Sequence, residues 1–409
     1  MINVLSVISE LNFGGGENRI FNLARAIDPK RFRLMLATLY LPPGERRFHC
    51  SSMRRQFADA GIDVYDLALP HPADSRIPRV VKIANTAATL ATAIARLRQL
   101  IVSSRADIVD AHLETALFTA VPAAASAGVP ATATLYSELD LWKLGDAGSY
   151  RQALFPPIRR LNLRLCSAIL TDSRARAADF ERYLGASAPP LHVIPNGVRL
   201  GAPSRPRADV LRALEVPERA TIVGQIAGLV PYKGQTLLVE AAARAIERGH
   251  DVYVLCVGDE RMGPAYPREL RRRTEALGIA DRVRIGGYPG NIADVWNAID
   301  IHVHASSIDS LPNAVIEGMS LAKPAVVSAV GAIPDHVDHG RTGLVVPPND
   351  APALAEALLR VLEDPALARR LGQGAYERYL ERFTPEATAR RIEAVFESTI
   401  EAHRRRRAS

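Results

Sequence analysis

The sequence predicts an α/β protein built from two doubly wound parallel-sheet domains that face each other across a cleft. Three observations predict it. Short runs rich in β-branched residues and leucine alternate with longer helical patterns almost from end to end, the signature of parallel sheets flanked by helices. The rhythm breaks once, at the polar, proline-bearing stretch RLGAPSRPRADVLRALEVPERA, 199–220, which reads as an interdomain linker. The 409 residues, 48% hydrophobic and 23% charged, leave room for two domains of about 200 residues each.

In the first half the predicted strands are NVLSVIS (3–9), RLMLATL (33–39), ADIVDAH (106–112), ATATLY (131–136), AILTDS (168–173) and LHVIPN (191–196). The second half restarts with TIVGQIAGL (221–229), DVYVLCVGD (251–259), RVRIGG (282–287), IDIHVHAS (299–306) and PAVVSAVG (324–331). This gives domains at 1–198 and 221–385, with a last helix, 386–409 after FTPEAT, expected to cross back to the first domain. Ligand would bind between the carboxyl ends of the two sheets.

Composition narrows the class. Cys50, Cys166 and Cys256 are far apart and form no C-x-x-C, which argues against a disulfide framework or a structural zinc site and suits a reducing, cytoplasmic compartment. The start, MINVLSVISELNFGGGEN, has no positive leader and reads as a first strand entering a glycine turn. No window supplies the roughly 18 uninterrupted apolar residues that a membrane span needs. The net charge is +7, with arginines alternating with apolar residues in RQALFPPIRRLNLRLC (151–166) and a tail ending HRRRRAS. Either pattern suits a solvated helix face, the preferred reading, or peripheral docking on an anionic membrane. With 6% aromatic residues and no stacking motif beside the arginines, nucleic acid is not an expected partner.

The chemistry concentrates in DSLPNAVIEGM, 309–319. A proline-started helix follows Asp309, and its apolar run of Ala314, Val315, Ile316, Met319, Leu321 and Ala322 predicts burial almost all round. Glu317 stands in the middle of that run, and a carboxylate is rarely buried without a partner because desolvation costs several kcal/mol. It lies about 7.5 Å along the axis from the helix start. Between the two acids lies the amino end of the helix, with the N–H groups of Ser310, Leu311 and Asn313, a ready anion site. A ligand with a hydroxylated group at one end, a diphosphate in the middle and a ribose at the other would satisfy all three features, which describes a nucleotide-sugar.

This D-x7-E and the following GMSLAKPAVVSAVGAIPDHVDHGRTGLVVPPND, 318–350, resemble the family 4 retaining glycosyltransferases of the GT-B fold, whose signature is E-x7-E followed by a glycine, proline and TGxLV pattern. The resemblance covers essentially the whole chain, most strongly 221 to about 385. It implies two facing Rossmann-like domains, with Asp309 on the transferred sugar and Glu317 on the ribose. It also implies that Lys233, in GLVPYKG (228–234), clamps the donor diphosphate. The family's arginine position is Gly228 here, a change expected to weaken donor binding by about tenfold to a hundredfold unless Arg261 or another cation substitutes.

On the first-domain side, FGGGEN (13–18) resembles the family's Gly-Gly-x-Glu loop, with Gly15 and Glu17 matching; a plain strand-to-helix turn is an equal reading. His112 ends a strand where relatives carry two histidines, the first being Asp110 here, and the resemblance sets it against sugar or acceptor. Glu138 occupies an acceptor-side position, and NGVR (196–199) resembles the family's Asn-Gly-Val-Asp with Arg199 for Asp. Asn196 is read as a hinge or cleft residue. The chain has no D-x-D, so neither a metal nor another cofactor is expected. His302 and His304 alternate on a strand with no third zinc ligand in sight.

The expected activity is therefore transfer of a sugar from a nucleoside diphosphate donor to a saccharide, lipid-linked or small-molecule hydroxyl, with Asp309, His112 and Lys233 at the reaction. Rivals on the same fold are a nucleotide-sugar 2-epimerase or a glycosyl phosphorylase. A noncatalytic sugar-nucleotide binder is a rival of another class, and an NAD-dependent oxidoreductase is more distant because the glycine fingerprint is incomplete.

Overall fold

The structure, a computed structural model, describes residues 1–11, 15–40, 53–69, 79–135, 150–260, 263–288 and 290–408, with the side chains of 79–87 and 150–155 outside that description. The chain divides into two compact units, Met1–Gly197 with Pro385–Ser409, and Val198–Thr384.

The first unit runs β1 (Ile2–Ile8), α1 (Gly15–Ala26), β2 (Phe32–Tyr40), α2 (Arg54–Asp59), β3 (Asp63–Leu69), α3 (Arg79–Ser103), β4 (Ile108–His112), α4 (Leu113–Ala127), β5 (Ala131–Thr134), α5 (Tyr150–Leu165), β6 (Ala168–Thr171), α6 (Arg174–Leu184) and β7 (Leu191–Val193). The second runs α7 (Arg207–Ala213), β8 (Thr221–Ile226), α8 (Gln235–Glu247), β9 (Val252–Val257), α9 (Ala265–Ala276), β10 (Val283–Gly286), α10 (Ile292–Ala298), β11 (Ile301–His304), α11 (Asn313–Ser320), β12 (Ala325–Ser328), α12 (Ile333–His336), β13 (Leu344–Val346), α13 (Ala351–Glu363) and α14 (Pro365–Arg382). The last helix, α15 (Pro385–Ala408), belongs to the first unit.

Both sheets are parallel among the described residues, in the orders β3-β2-β1-β4-β5-β6-β7 and β10-β9-β8-β11-β12-β13. Each sheet is covered on both faces, which is why its strands read as near-continuous apolar runs. In β1, Leu5 and Val7 pack with Leu97, Ile101, Leu117 and Val121 of α3 and α4. The alternate residues Val4 and Ile8 pack with Ile20, Leu23, Ile392 and Phe396 of α1 and α15. In the second unit Val223 joins α8 and α13 on one face, and Ile222 joins α7 and α10 on the other. Each strand order reverses once, between β1 and β4 and between β8 and β11. Those reversals are the points where open α/β sheets bind ligands.

Two strands escape the sequence pattern. In β3 the charged Asp63 and Asp66 mark an edge strand, and they bind Arg33 (2.7 Å) and the Thr38 hydroxyl (2.6 Å) of the neighbouring strand. β13 has only three residues.

The stretch 199–220, expected as a linker, is part of the second unit. Asp294 accepts from Ser204 N (2.5 Å) and Ser204 Oγ (2.9 Å), Arg207 pairs with Asp300 (2.8 Å), and Val210 and Leu211 enter the core around Trp296. Its polar residues have partners about 90 positions away in sequence, so polarity there does not signal solvent. The chain passes between units at Gly197 and again at Thr384. Before the first passage, Arg19 Nη1 donates to Ile194 O (3.0 Å) and Asn196 Oδ1 (2.9 Å), and Asn22 Nδ2 donates to Gly197 O (2.8 Å). A Cβ on Gly197 would come within 2.7 Å of Pro385 Cα, so only glycine fits.

The arginine tail is the end of α15. His403 Nε2 (3.0 Å) and Arg407 Nη1 (3.1 Å) reach the carbonyl of Gly128, the left-handed C-cap of α4, where cationic side chains complement the helix dipole. Helix α5 exposes Ile158, Leu161 and Leu165 beside Arg160 and Arg164. No helix among the described residues is long and apolar enough to cross a membrane.

Phe396 is fully buried between α15 and the sheet. Phe396→Ala should cost about 3–5 kcal/mol, read as a lower urea midpoint for the first unit; an unchanged midpoint would contradict the docking of α15.

Candidate active site

The best-formed cluster of chemistry lies at the β8–β11 reversal of the second unit. After β8 the chain makes a short turn, Pro231–Lys233, closed by Gly234 at φ +69°. A Cβ there would come within 2.1 Å of the Ala305 carbonyl, so the turn sits directly on the end of β11 and requires glycine. Ser307 N donates to Tyr232 O (2.8 Å), Gln225 Nε2 to Lys233 O (2.6 Å) and Gln235 Nε2 to Gly228 O (3.0 Å). These bonds deliver Lys233 to the carboxyl edge of the sheet.

There it meets Asp309. Oδ2 of Asp309 lies 2.5 Å from Lys233 Nζ and 2.8 Å from His304 Nε2, and it accepts from Ser306 Oγ at 3.2 Å. The other oxygen accepts from Ser310 N at 3.1 Å. Burial alone would raise its pKa, but His304 and then Lys233 hold the carboxyl far below the usual carboxylate range. The amide of Ser310 is therefore engaged by Asp309, which corrects the expectation that it stands free for a ligand. Leu311 is buried, and α11 begins at Asn313 with Pro312 as its N-cap. The loop after β12 holds this entry: Ala332 N donates to Ser310 O (2.9 Å), and a Cβ on Gly331 would meet Asp309 O at 2.1 Å.

Glu317, one helix turn and more along α11, has its carboxylate held by a single group among the described residues. Trp296 Nε1 donates to its Oε2 at 2.7 Å. Burial pushes the Glu317 carboxyl up, offset only in part by that indole. Trp296 in turn lies edge-on to His302, with ring centroids 4.9 Å apart, and His302 sits 6.2 Å from the His304 ring. His302 has no hydrogen-bond partner on either nitrogen among the described residues, and burial, with His304 beside it, lowers its pKa to about 3. Gly318 lets α11 lie on these rings; a Cβ would be 3.0 Å from His302 Nδ1. The two carboxylates are thus held from below by one stripe of buried rings. Ser306 and Trp296 are the residues missed from sequence, and His304 is weighed there only as a metal ligand. The available signal was the HVHAS run, whose alternate residues share one strand face.

Of the first-unit candidates, Gly15, Glu17 and His112 follow or end the strands β1 and β4 at the β1–β4 reversal. His112 is 1% exposed, with Nε2 2.8 Å from Asp110 Oδ2, whose other oxygen accepts from Thr132 Oγ1 (2.9 Å) and Thr134 Oγ1 (3.0 Å). Burial opposes ionisation of Asp110, yet His112 and the two hydroxyls hold it below the usual range. The His112 side chain is buried beside Asp110, the residue that replaces the family's first histidine. Gly15 is exposed at the start of α1, and Glu17 is buried in its first turn. Asn196, read as a hinge or cleft residue, is an acceptor for Arg19. A Cβ at Gly228 would lie 3.4 Å from Asp259 Oδ1. Glu138 and Arg261 lie outside the described residues.

Residues 13–201 match the family model described as Glycosyltransferase Family 4, and residues 218–364 match that described as Glycosyl transferases group 1. A D-inositol 3-phosphate glycosyltransferase of Streptomyces avermitilis is 30% identical over 247 residues, covering 58% of this chain and 53% of the relative. An alpha-D-kanosaminyltransferase of Streptomyces kanamyceticus is 32% identical over 41% of this chain and 43% of its own. The chain spans about half the length of these curated relatives. A 2-deoxystreptamine glucosyltransferase of Streptomyces kanamyceticus is 26% identical, with 85% of this chain and 89% of that one covered. Among solved structures, Anabaena HepE in complex with UDP and glucose superposes with a TM-score of 0.76 at 20% identity, covering 97% of this chain and 100% of that one. Sucrose-phosphate synthase from Thermosynechococcus elongatus gives 0.75 at 22% identity, covering 98% and 100%. At these identities the likeness establishes the two-domain GT-B fold.

The raised Glu317 pKa has a thermodynamic consequence. A carboxylate whose folded pKa is raised carries stability below its ordinary range that is lost as pH rises through the folded value. Glu317→Gln should therefore stabilise the second unit at pH 7, and the gain should vanish as pH falls below about 4. Urea unfolding at both pH values checks this; a variant less stable at pH 7 would contradict it.

Proposed function

The chain belongs to the family 4 glycosyltransferases, and from that premise we propose that it transfers a sugar from a nucleoside diphosphate donor to an acceptor hydroxyl with retention of anomeric configuration. The observation that carries the reading is the bracket at the β8–β11 reversal: Lys233 and Asp309 at one end, the start of α11 in the middle, and Glu317 further along the same helix. A diphosphate suits Lys233 and the helix start, where backbone N–H groups and the dipole favour an anion. Glu317 has one oxygen on Trp296, which leaves the other to accept from ribose hydroxyls. Asp309 suits a hydroxyl of the transferred sugar.

In the transfer, the bond from the anomeric carbon to the diphosphate oxygen breaks and a bond to the acceptor oxygen forms on the same face. The acceptor proton passes to the departing diphosphate oxygen, so no side-chain base is needed. Lys233 stabilises the charge that develops on that oxygen. The acceptor is a saccharide, lipid-linked or small-molecule hydroxyl, with Glu17, His112 and Glu138 as acceptor-side residues. The glycine at position 228 favours one alternative, a sugar-nucleotide binder without turnover, which would bind donor and release no nucleotide with any acceptor.

A thermal-shift screen against UDP-, GDP- and ADP-sugars tests the reading. A donor at about 100 times its Kd should add about 2.7 kcal/mol, and Glu317→Ala should lose most of that gain. No shift with any donor, or an undiminished shift in the variant, would contradict the assignment.

A further inference from the structure

Lys233 is engaged within the chain. Its ammonium lies 2.5 Å from Asp309, and the two side chains are only 18% and 13% exposed. The same carboxylate oxygen has two other partners, His304 Nε2 at 2.8 Å and Ser306 Oγ at 3.2 Å. A diphosphate and Asp309 are therefore competitors for one ammonium. Removing one member of a buried ion pair leaves the other uncompensated, so Asp309 must keep a partner when Lys233 turns to phosphate. Lysine can make that change: its charge is a point on a flexible stem, while its backbone stays fixed by Gln225.

His304 cannot leave in the same way. Its ring is buried at the end of β11, its Nε2 is also 2.9 Å from Ser306 Oγ, and its Nδ1 is buried with no hydrogen-bond partner among the described residues. That arrangement places a hydrogen on Nε2, facing Asp309. The charged and titratable groups around it are Asp309 on the following loop, Lys233 on the turn after β8 and His302 on its own strand.

We propose, resting on the donor reading above, that the donor diphosphate replaces Asp309 as the partner of Lys233, and that His304 is the positioning residue that then keeps Asp309 aimed at the sugar. The exchange couples the two ends of the site: sugar-side Asp309 is released from lysine only when phosphate arrives. It also makes a prediction of unusual sign, because loss of the Asp309 charge frees the lysine and improves binding of a nucleotide that lacks the sugar.

The test is calorimetric titration of UDP, GDP and ADP, and of the matching nucleotide-sugars, into wild type, Asp309→Asn, His304→Leu and His304→Gln. Asp309→Asn should bind the sugar-free nucleoside diphosphate about fivefold to tenfold more tightly than wild type; equal or weaker binding overturns the exchange. His304→Leu should lower the ratio of nucleotide-sugar affinity to nucleoside diphosphate affinity by at least about fivefold, with His304→Gln, which keeps an N–H donor, within about twofold of wild type. An unchanged ratio in His304→Leu, or an equal loss in both variants, overturns the positioning role, since a merely structural defect would lower both affinities together. Failure of wild type to bind any of the three nucleotides would instead remove the donor reading itself.

Discussion

The site depends on one crowded oxygen. Asp309 Oδ2 draws in Lys233, His304 and Ser306, and each comes from a segment that must be placed to within a fraction of an ångström. Lys233 is placed by a turn that only Gly234 allows, His304 by the second-unit sheet, and Asp309 by the backbone pressed against Gly331. The carboxylate sits where the strand order reverses, the position at which helices on either side of a parallel sheet part and leave backbone groups exposed at the strand ends.

The two acids of the D-x7-E segment are held in opposite ways. Asp309 is over-supplied with donors and its pKa falls; among the described residues Glu317 has one indole N–H and its pKa rises. Environments that push two carboxyl groups apart divide their tasks. The satisfied acid is a fixed reference point beside the lysine, and the under-satisfied acid carries a desolvation cost that hydroxyl donors from a ligand would relieve. Stability sacrificed at Glu317 is of the kind commonly found at binding sites.

Much of this was legible in the sequence. The strands of both sheets stand out because parallel strands buried on two faces become continuous apolar runs, and Asp309, Lys233 and Glu317 stand out as charges at a glycine turn and inside an apolar helix. Other features depend on distant partners. Edge strand β3 is hidden by Asp63 and Asp66, whose partners lie on the next strand. Residues 199–220 look like a linker until Asp294 and Asp300 are placed beside them. The arginine tail reads as a solvated helix face until Gly128 supplies a carbonyl. Trp296 and His304 reveal nothing alone, because their roles arise only when α10, β11 and α11 pack together.

The most direct test of the account is a crystal structure of the protein with its nucleoside diphosphate. The account predicts Lys233 Nζ on a phosphate oxygen and no longer on Asp309, His304 still on Asp309, and Glu317 accepting from the ribose hydroxyls. A nucleotide bound elsewhere, or one bound at α11 with the Lys233–Asp309 pair intact and the ribose away from Glu317, would contradict it.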